Sequence, residues 1–300
     1  MSIPPSKGIH APRARNYQQK HQANDKIETY ADIYFKDHPD AIIDTDPPEV
    51  KLKKLEEKLG SFDLEMNERF HVLIQQKSMI YILYGEKSVE SLKIHAKIGQ
   101  LYNGSHRPQS ALRHLQISLD LEKEFNVDEE TALFVAVEVA EAHLSMRTDN
   151  PNDTQTHIKI AMDVLNPHRN ADVKDNELKY RWYLVNARTY SASKQYQLSM
   201  QQYDNAQKTL EIIENHTNGA RMAKLYVEMS ETASKIDDFT RMTECTGNAY
   251  EIFMKLGMQA SASLIRSKVS SDKVKEVEDK YGTLESDETN MDYMADIPPL

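Results

Sequence analysis

Tyr102, His143, Tyr190 and Ala233 each close a stretch of helix-spaced apolar residues, and they stand 41, 47 and 43 residues apart. A near-constant interval of that size constrains the fold more than any other feature of the chain. It predicts one supersecondary unit repeated along an array rather than a single shared core. The clearest unit is Tyr84–Phe125. Leu92, Ile94, Ile98, Leu101 and Tyr102 fall mostly at three- and four-residue steps and predict one amphipathic helix. "NGSHRP" is a turn, with Gly104 as breaker and Pro108 suited to the first turn of the next helix. Ala111, Leu112, Leu115, Leu119 and Leu121 then form a second apolar face. Ala111 follows Tyr102 by nine residues, and its small side chain allows the two helices to approach.

Degraded copies follow. Ala140 lies three residues before His143, and "HIKIAMDVL" supplies a partner helix after the long loop "RTDNPNDTQT". In the next unit Ala187 precedes Tyr190, and Ser199, Tyr203 and Ala206 occupy the second helix. The last has Ser230, Ala233, Phe239 and Ala249 in matching slots. The scarcity of glycine, nine in 300 residues, suits long helices, because each internal glycine costs about 1 kcal/mol relative to alanine.

These features resemble the tetratricopeptide repeat, in which an aromatic follows a small residue by one turn and another small residue comes nine later. Gly99, Tyr102 and Ala111, introduced by Tyr84-Gly85-Glu86, are similar to the kinesin-light-chain form of that repeat. The stretch "LEEKLGSFDLEMNERFHVLIQQKSMIYILYGEKSVESLKIHAKIGQLY" also resembles the ciliary tetratricopeptide repeat protein 23 family. Two departures stand out: Lys123 occupies the place of the usual closing proline, and the second unit has a stretched loop. The resemblance implies an all-α solenoid, a right-handed superhelix of antiparallel helix pairs. It would hold four or five pairs over 49–268, between a basic arm at 1–48 and an acidic tail at 269–300.

The first helices of such an array line a concave groove. Counting along them places Lys93, Ala96, Gln100 and Asn103 there, then Val137 and Glu141. Arg181, Leu184 and Arg188 follow, and then Lys224, Val227 and Glu231. The cations among apolar neighbours suit an extended acidic peptide; an ordinary solvated helix face is the plainer reading. Chaperone-tail binders of this class clamp a terminal carboxylate with lysine and asparagine. Ala96 and Gln100 stand in those places here, so that use is not expected.

Composition narrows the function further. A net charge of −10 disfavours general nucleic-acid binding, which relies on cations replacing phosphate counterions. No apolar run is long enough to span a bilayer, and the N-terminus does not read as a secretory signal. A cytoplasmic or cytoskeletal location is expected. Lys7, Arg13, Arg15 and Lys20 make the N-terminal arm basic, suited to docking on an acidic surface such as tubulin's.

Signals of chemistry are weak. No HExxH pattern or phosphate-binding glycine loop occurs. His106 and His114 read as surface residues, Cys245 as a buried small hydrophobe, and Trp182 and Tyr183 as core or groove anchors. The expectation is therefore a non-enzymatic scaffold without cofactor or metal, built into a large ciliary or axonemal complex with other protein subunits. A cargo or signalling adaptor for an acidic peptide is one alternative, and a regulatory subunit of an enzyme is another.

Overall fold

The computed structural model describes residues 46–60, 64–146, 148–215 and 219–284. Among these, all regular structure is helical: α1 Pro48–Leu59, α2 Met66–Tyr84, α3 Val89–Gly104, α4 Pro108–Glu124, α5 Glu129–Leu144 and α6 Pro151–Leu165. Then come α7 Asn176–Ala192, α8 Tyr196–Ile213, α9 Ala220–Lys235, α10 Phe239–Lys255, α11 Gln259–Arg266 and α12 Ser271–Tyr281. Consecutive helices pack in pairs, α1 with α2 through α9 with α10, and each pair rests on the next. First helices of successive pairs also meet, α3 against α5 and α5 against α7. The fold is an all-α solenoid.

Local sequence explains the helix starts. Ser88, Asp128 and Asp175 accept backbone N–H bonds at the heads of α3, α5 and α7, from Ser91 (3.0 Å), Thr131 (2.8 Å) and Glu177 (2.8 Å). Proline at the first turn opens α1, α4 and α6.

The turns inside pairs share a design. The backbone N–H of Arg107 donates to Tyr102 O at 2.9 Å, that of Gln195 to Tyr190 O at 2.8 Å, and that of Asp238 to Ala233 O at 3.1 Å. Each bond reaches back five residues, the wider bond of a Schellman cap. The residue before each donor is left-handed: His106 (φ 55°), Lys194 (φ 63°) and Asp237 (φ 57°). Three of the four periodic positions in the sequence are thus the acceptors of one recurring cap. His143 differs: it accepts from Met146 at 3.2 Å, in keeping with its longer loop.

The small residues lie where helices meet. Ala111, Ala140, Ala187, Ser199, Ala206 and Ala249 are completely buried, and Tyr203 nearly so. Ser199 donates its hydroxyl to Ala187 O at 2.8 Å, joining α8 to α7. Tyr102 packs between the apolar clusters on either side of it, and Tyr190 is half-buried. Gly99 marks the closest approach, since a Cβ there would sit 2.6 Å from Leu115 Cγ.

The array continues past residue 268, where an acidic tail was expected to begin. Val274, Val277 and Tyr281 recur at three- and four-residue steps along α12 and join the last core cluster, with Val277 fully buried. Lys273 and Lys280 both pair with Glu251 of α10, at 2.8 and 3.0 Å. Glu276, Asp279 and Lys280 lie on the exposed face of this amphipathic helix, while Glu278 accepts from the Tyr250 hydroxyl at 3.0 Å; the rest of the expected tail, 285–300, lies outside the described residues. α11 and α12 both pack on α10, closing this end of the stack.

Candidate functional site

Side chains from the first helices join into one polar row. Asn103 on α3 donates through Nδ2 to the carbonyl (2.9 Å) and the Oε2 (3.0 Å) of Glu138 on α5. Glu138 is entirely buried and also pairs with Arg181 on α7. Arg181 donates to Glu141 Oε2 at 2.7 Å, and Glu141 Oε1 lies 3.5 Å from Arg188. Arg188 then grips both carboxylate oxygens of Glu228 on α9, at 2.9 and 2.6 Å. Finally the Tyr203 hydroxyl of α8 donates to Glu228 at 3.0 Å. Asn103 remains half-satisfied, its Oδ1 buried without a partner.

Electrostatics follow from alternating signs in a dry setting. Burial pushes the Glu138 carboxyl above its ordinary value, against the opposing pull of Arg181. Burial acts to lower the Arg181 and Arg188 pKa values, but the facing carboxylates outweigh it and raise both. Burial and then the Glu228 charge raise the Tyr203 phenol. Lys224, half-buried beside this row, is lowered first by burial and then by Arg188. A second bridge links the same helices on the outside: Arg221 pairs with Glu177 at 2.7 Å and lies 4.6 Å over the Tyr180 ring.

This arrangement corrects the peptide-groove expectation at its centre. Arg181, Arg188 and Glu141 are matched to one another and to Glu138 and Glu228, so these cations do not stand ready for an incoming acidic chain. Asn103 is buried in the same row, and Leu184 lies in the core. Val227 packs against that core, while Glu231 is exposed. Lys93 is exposed, with Asp128 at 4.0 Å. Gln100, together with Asn103, Glu141 and Arg181 of the polar row, does line a groove, of about 630 Å³, whose apolar surface comes from Leu59, Met66, Leu73, Leu101 and Phe134. Lys97 stands at this groove as well. Lys7, Arg13, Arg15 and Lys20 lie outside the described residues.

Other expectations sort as follows. Cys245 is buried, and burial raises its thiol to about 11. Trp182 is a core residue with Tyr183 stacked on it at 5.0 Å. His106 is exposed as expected. His114 is not a simple surface residue: its Nδ1 lies 2.9 Å from the Nδ1 of buried His95.

Glu138 and Glu228 carry the polar row and were absent from the sequence candidates. Among the described residues, no three or more His, Cys, Asp or Glu side chains are placed to hold a metal ion, and no helix is long and apolar enough to cross a membrane. The class defined by this fold and row of contacts is a helical-repeat array. Set against known protein families and characterised proteins, the sequence matches no family and no characterised relative.

Proposed function

We propose that the chain is a non-enzymatic protein–protein scaffold of the tetratricopeptide type, holding neighbouring subunits in a microtubule-based assembly such as a ciliary axoneme. The observation that carries the scaffold reading is the polar row from Asn103 to Tyr203. It ties α3, α5, α7 and α9 together with charged groups that are consumed internally, so it serves rigidity rather than turnover. The ciliary assignment rests on the resemblance over Leu55–Tyr102. The test is sequential extraction of ciliated cells expressing the tagged full chain. Retention with the detergent-insoluble axoneme supports the reading; recovery only in the detergent-soluble fraction, with no signal in isolated cilia, overturns it.

The groove beside α2 and α3 favours a second reading, an adaptor that grips an acidic peptide. Its recognition would come from Lys97, Arg69 and Gln100 over the apolar floor, since Arg181 and Arg188 are matched within the chain. Lys97→Glu should then abolish capture of an acidic aromatic peptide; equal capture by the variant rejects this reading.

A further inference from the structure

Near the start of the array a polar contact built from two histidines and a tyrosine joins three helices. His95 on α3 is 2% exposed. Its Nε2 lies 2.8 Å from the Tyr81 hydroxyl of α2, and its Nδ1 lies 2.9 Å from His114 Nδ1 of α4. The two imidazole rings lie 5.1 Å apart, and the Tyr102 ring stacks on His114 at 5.6 Å. We propose that this Tyr81–His95–His114 contact is an acid-sensitive joint that loosens α2 from α3 and α4 as the pH falls below neutrality.

The Nδ1···Nδ1 contact works only while a proton lies between two nitrogens, one donating and one accepting. A first added proton can be shared along that line. A second leaves two N–H donors facing each other, with like charges in a buried setting.

The surroundings offer no relief. From α2 the pair faces the Tyr81 hydroxyl and Lys77, whose Nζ lies 5.5 Å from the Tyr81 ring centre and which opposes protonation of both histidines. From α3 it faces the Tyr102 ring. The α5 carboxylates Glu138 and Glu141 are directed to Asn103, Arg181 and Arg188.

Burial, then His114, then Lys77 hold His95 down to about 4, and burial with Lys77 lowers His114. The opened state therefore binds more protons than the closed one. Stability from the joint is complete above the ordinary histidine value of about 6.5 and is lost as pH falls from there toward 4.

The same Nδ1···Nδ1 contact recurs between His143 of α5 and His157 of α6, at 2.8 Å, but the array beyond α6 lacks it. Among the described residues no histidine follows His168, and the ion pairs beyond it join arginine or lysine to carboxylates. The acid response should thus be confined to the helices up to α6 and spare those from α7 onward.

Hydrogen exchange on the full chain, corrected for the intrinsic pH dependence of the amide, tests this. Peptides covering α2 should lose protection by roughly tenfold or more between pH 7 and pH 5, while those covering α8 hold theirs. His114→Asn keeps a hydrogen-bonding atom near the Nδ1 position and removes one titrating ring, so it should flatten the response. Unchanged α2 protection in the unaltered chain, or an undiminished loss in the variant, overturns the proposal. Should the variant not fold, proton NMR of the unaltered chain with assigned histidine signals decides: His95 titrating well below about 6.5 upholds the joint, and His95 titrating at the ordinary value refutes it.

Discussion

Arg181 on α7 and Glu138 on α5 form an ion pair across 43 residues of sequence, one full repeat of the chain. The carboxylate is entirely buried, so its stability depends on the guanidinium rather than on water. Removing one partner of such a pair costs about 3–5 kcal/mol, because the other charge is left behind. Arg181→Ala should lower the thermal midpoint sharply. The double variant Glu138→Leu with Arg181→Met should regain most of that loss. Calorimetry on the four corners of the cycle measures the coupling, and purely additive effects would show that the pair does not act as a unit.

Gly99 makes the closest helix approach in the first repeat, and an added methyl group would meet Leu115 at 2.6 Å. Leu115 is fully buried and cannot swing into solvent. Gly99→Ala should destabilise by about 1–3 kcal/mol despite the better helix propensity of alanine. Adding Leu115→Val should relieve part of it. A gain in stability from Gly99→Ala, read by urea denaturation, would contradict the close approach.

The repeat itself was legible in the sequence because its markers are geometric. Small residues such as Ala187 and Ala206 must occur where backbones meet, and Tyr102, Tyr190 and Ala233 must precede each cap by a fixed count. The polar row was not legible from any one helix. Arg181 reads as a surface cation because its partners lie one repeat away. The usable signal was opposite charge at the repeat interval: Glu138 with Arg181 at 43, Glu141 with Arg181 at 40, Arg188 with Glu228 at 40 and Glu177 with Arg221 at 44 residues. α12 was missed because its charged outer face outweighed Val274, Val277 and Tyr281 in composition.

Lys194 occupies the left-handed region at φ 63° in the α7–α8 turn, where Cβ crowds the backbone by about 1–2 kcal/mol. Lys194→Gly should raise stability by up to about 1 kcal/mol, part of the gain being offset by the freer unfolded chain. Gly257, at φ 70° before α11, supplies the converse. Gly257→Ala should lower the thermal midpoint, and equal midpoints for both variants and the parent would discount strain at these turns.

Cys245 is buried with its thiol pushed up to about 11. At pH 8 it should present roughly two hundredfold less thiolate than an ordinary cysteine, before restricted access slows it further. A disulfide reagent should therefore react with the folded chain at least a hundredfold more slowly than with the urea-unfolded chain. Comparable rates would place Cys245 in a reactive setting.

The row running from Asn103 to Tyr203 also bears on how such a chain can evolve. Each helix pair carries charges complementary to its particular neighbours, so the units are not interchangeable bricks. Excising α5 and α6 would remove both acids that hold Arg181 and leave Asn103 without Glu138. A lineage that lengthens or shortens this array must therefore recode at least two adjoining units at once, or add them only beyond the ends of the row.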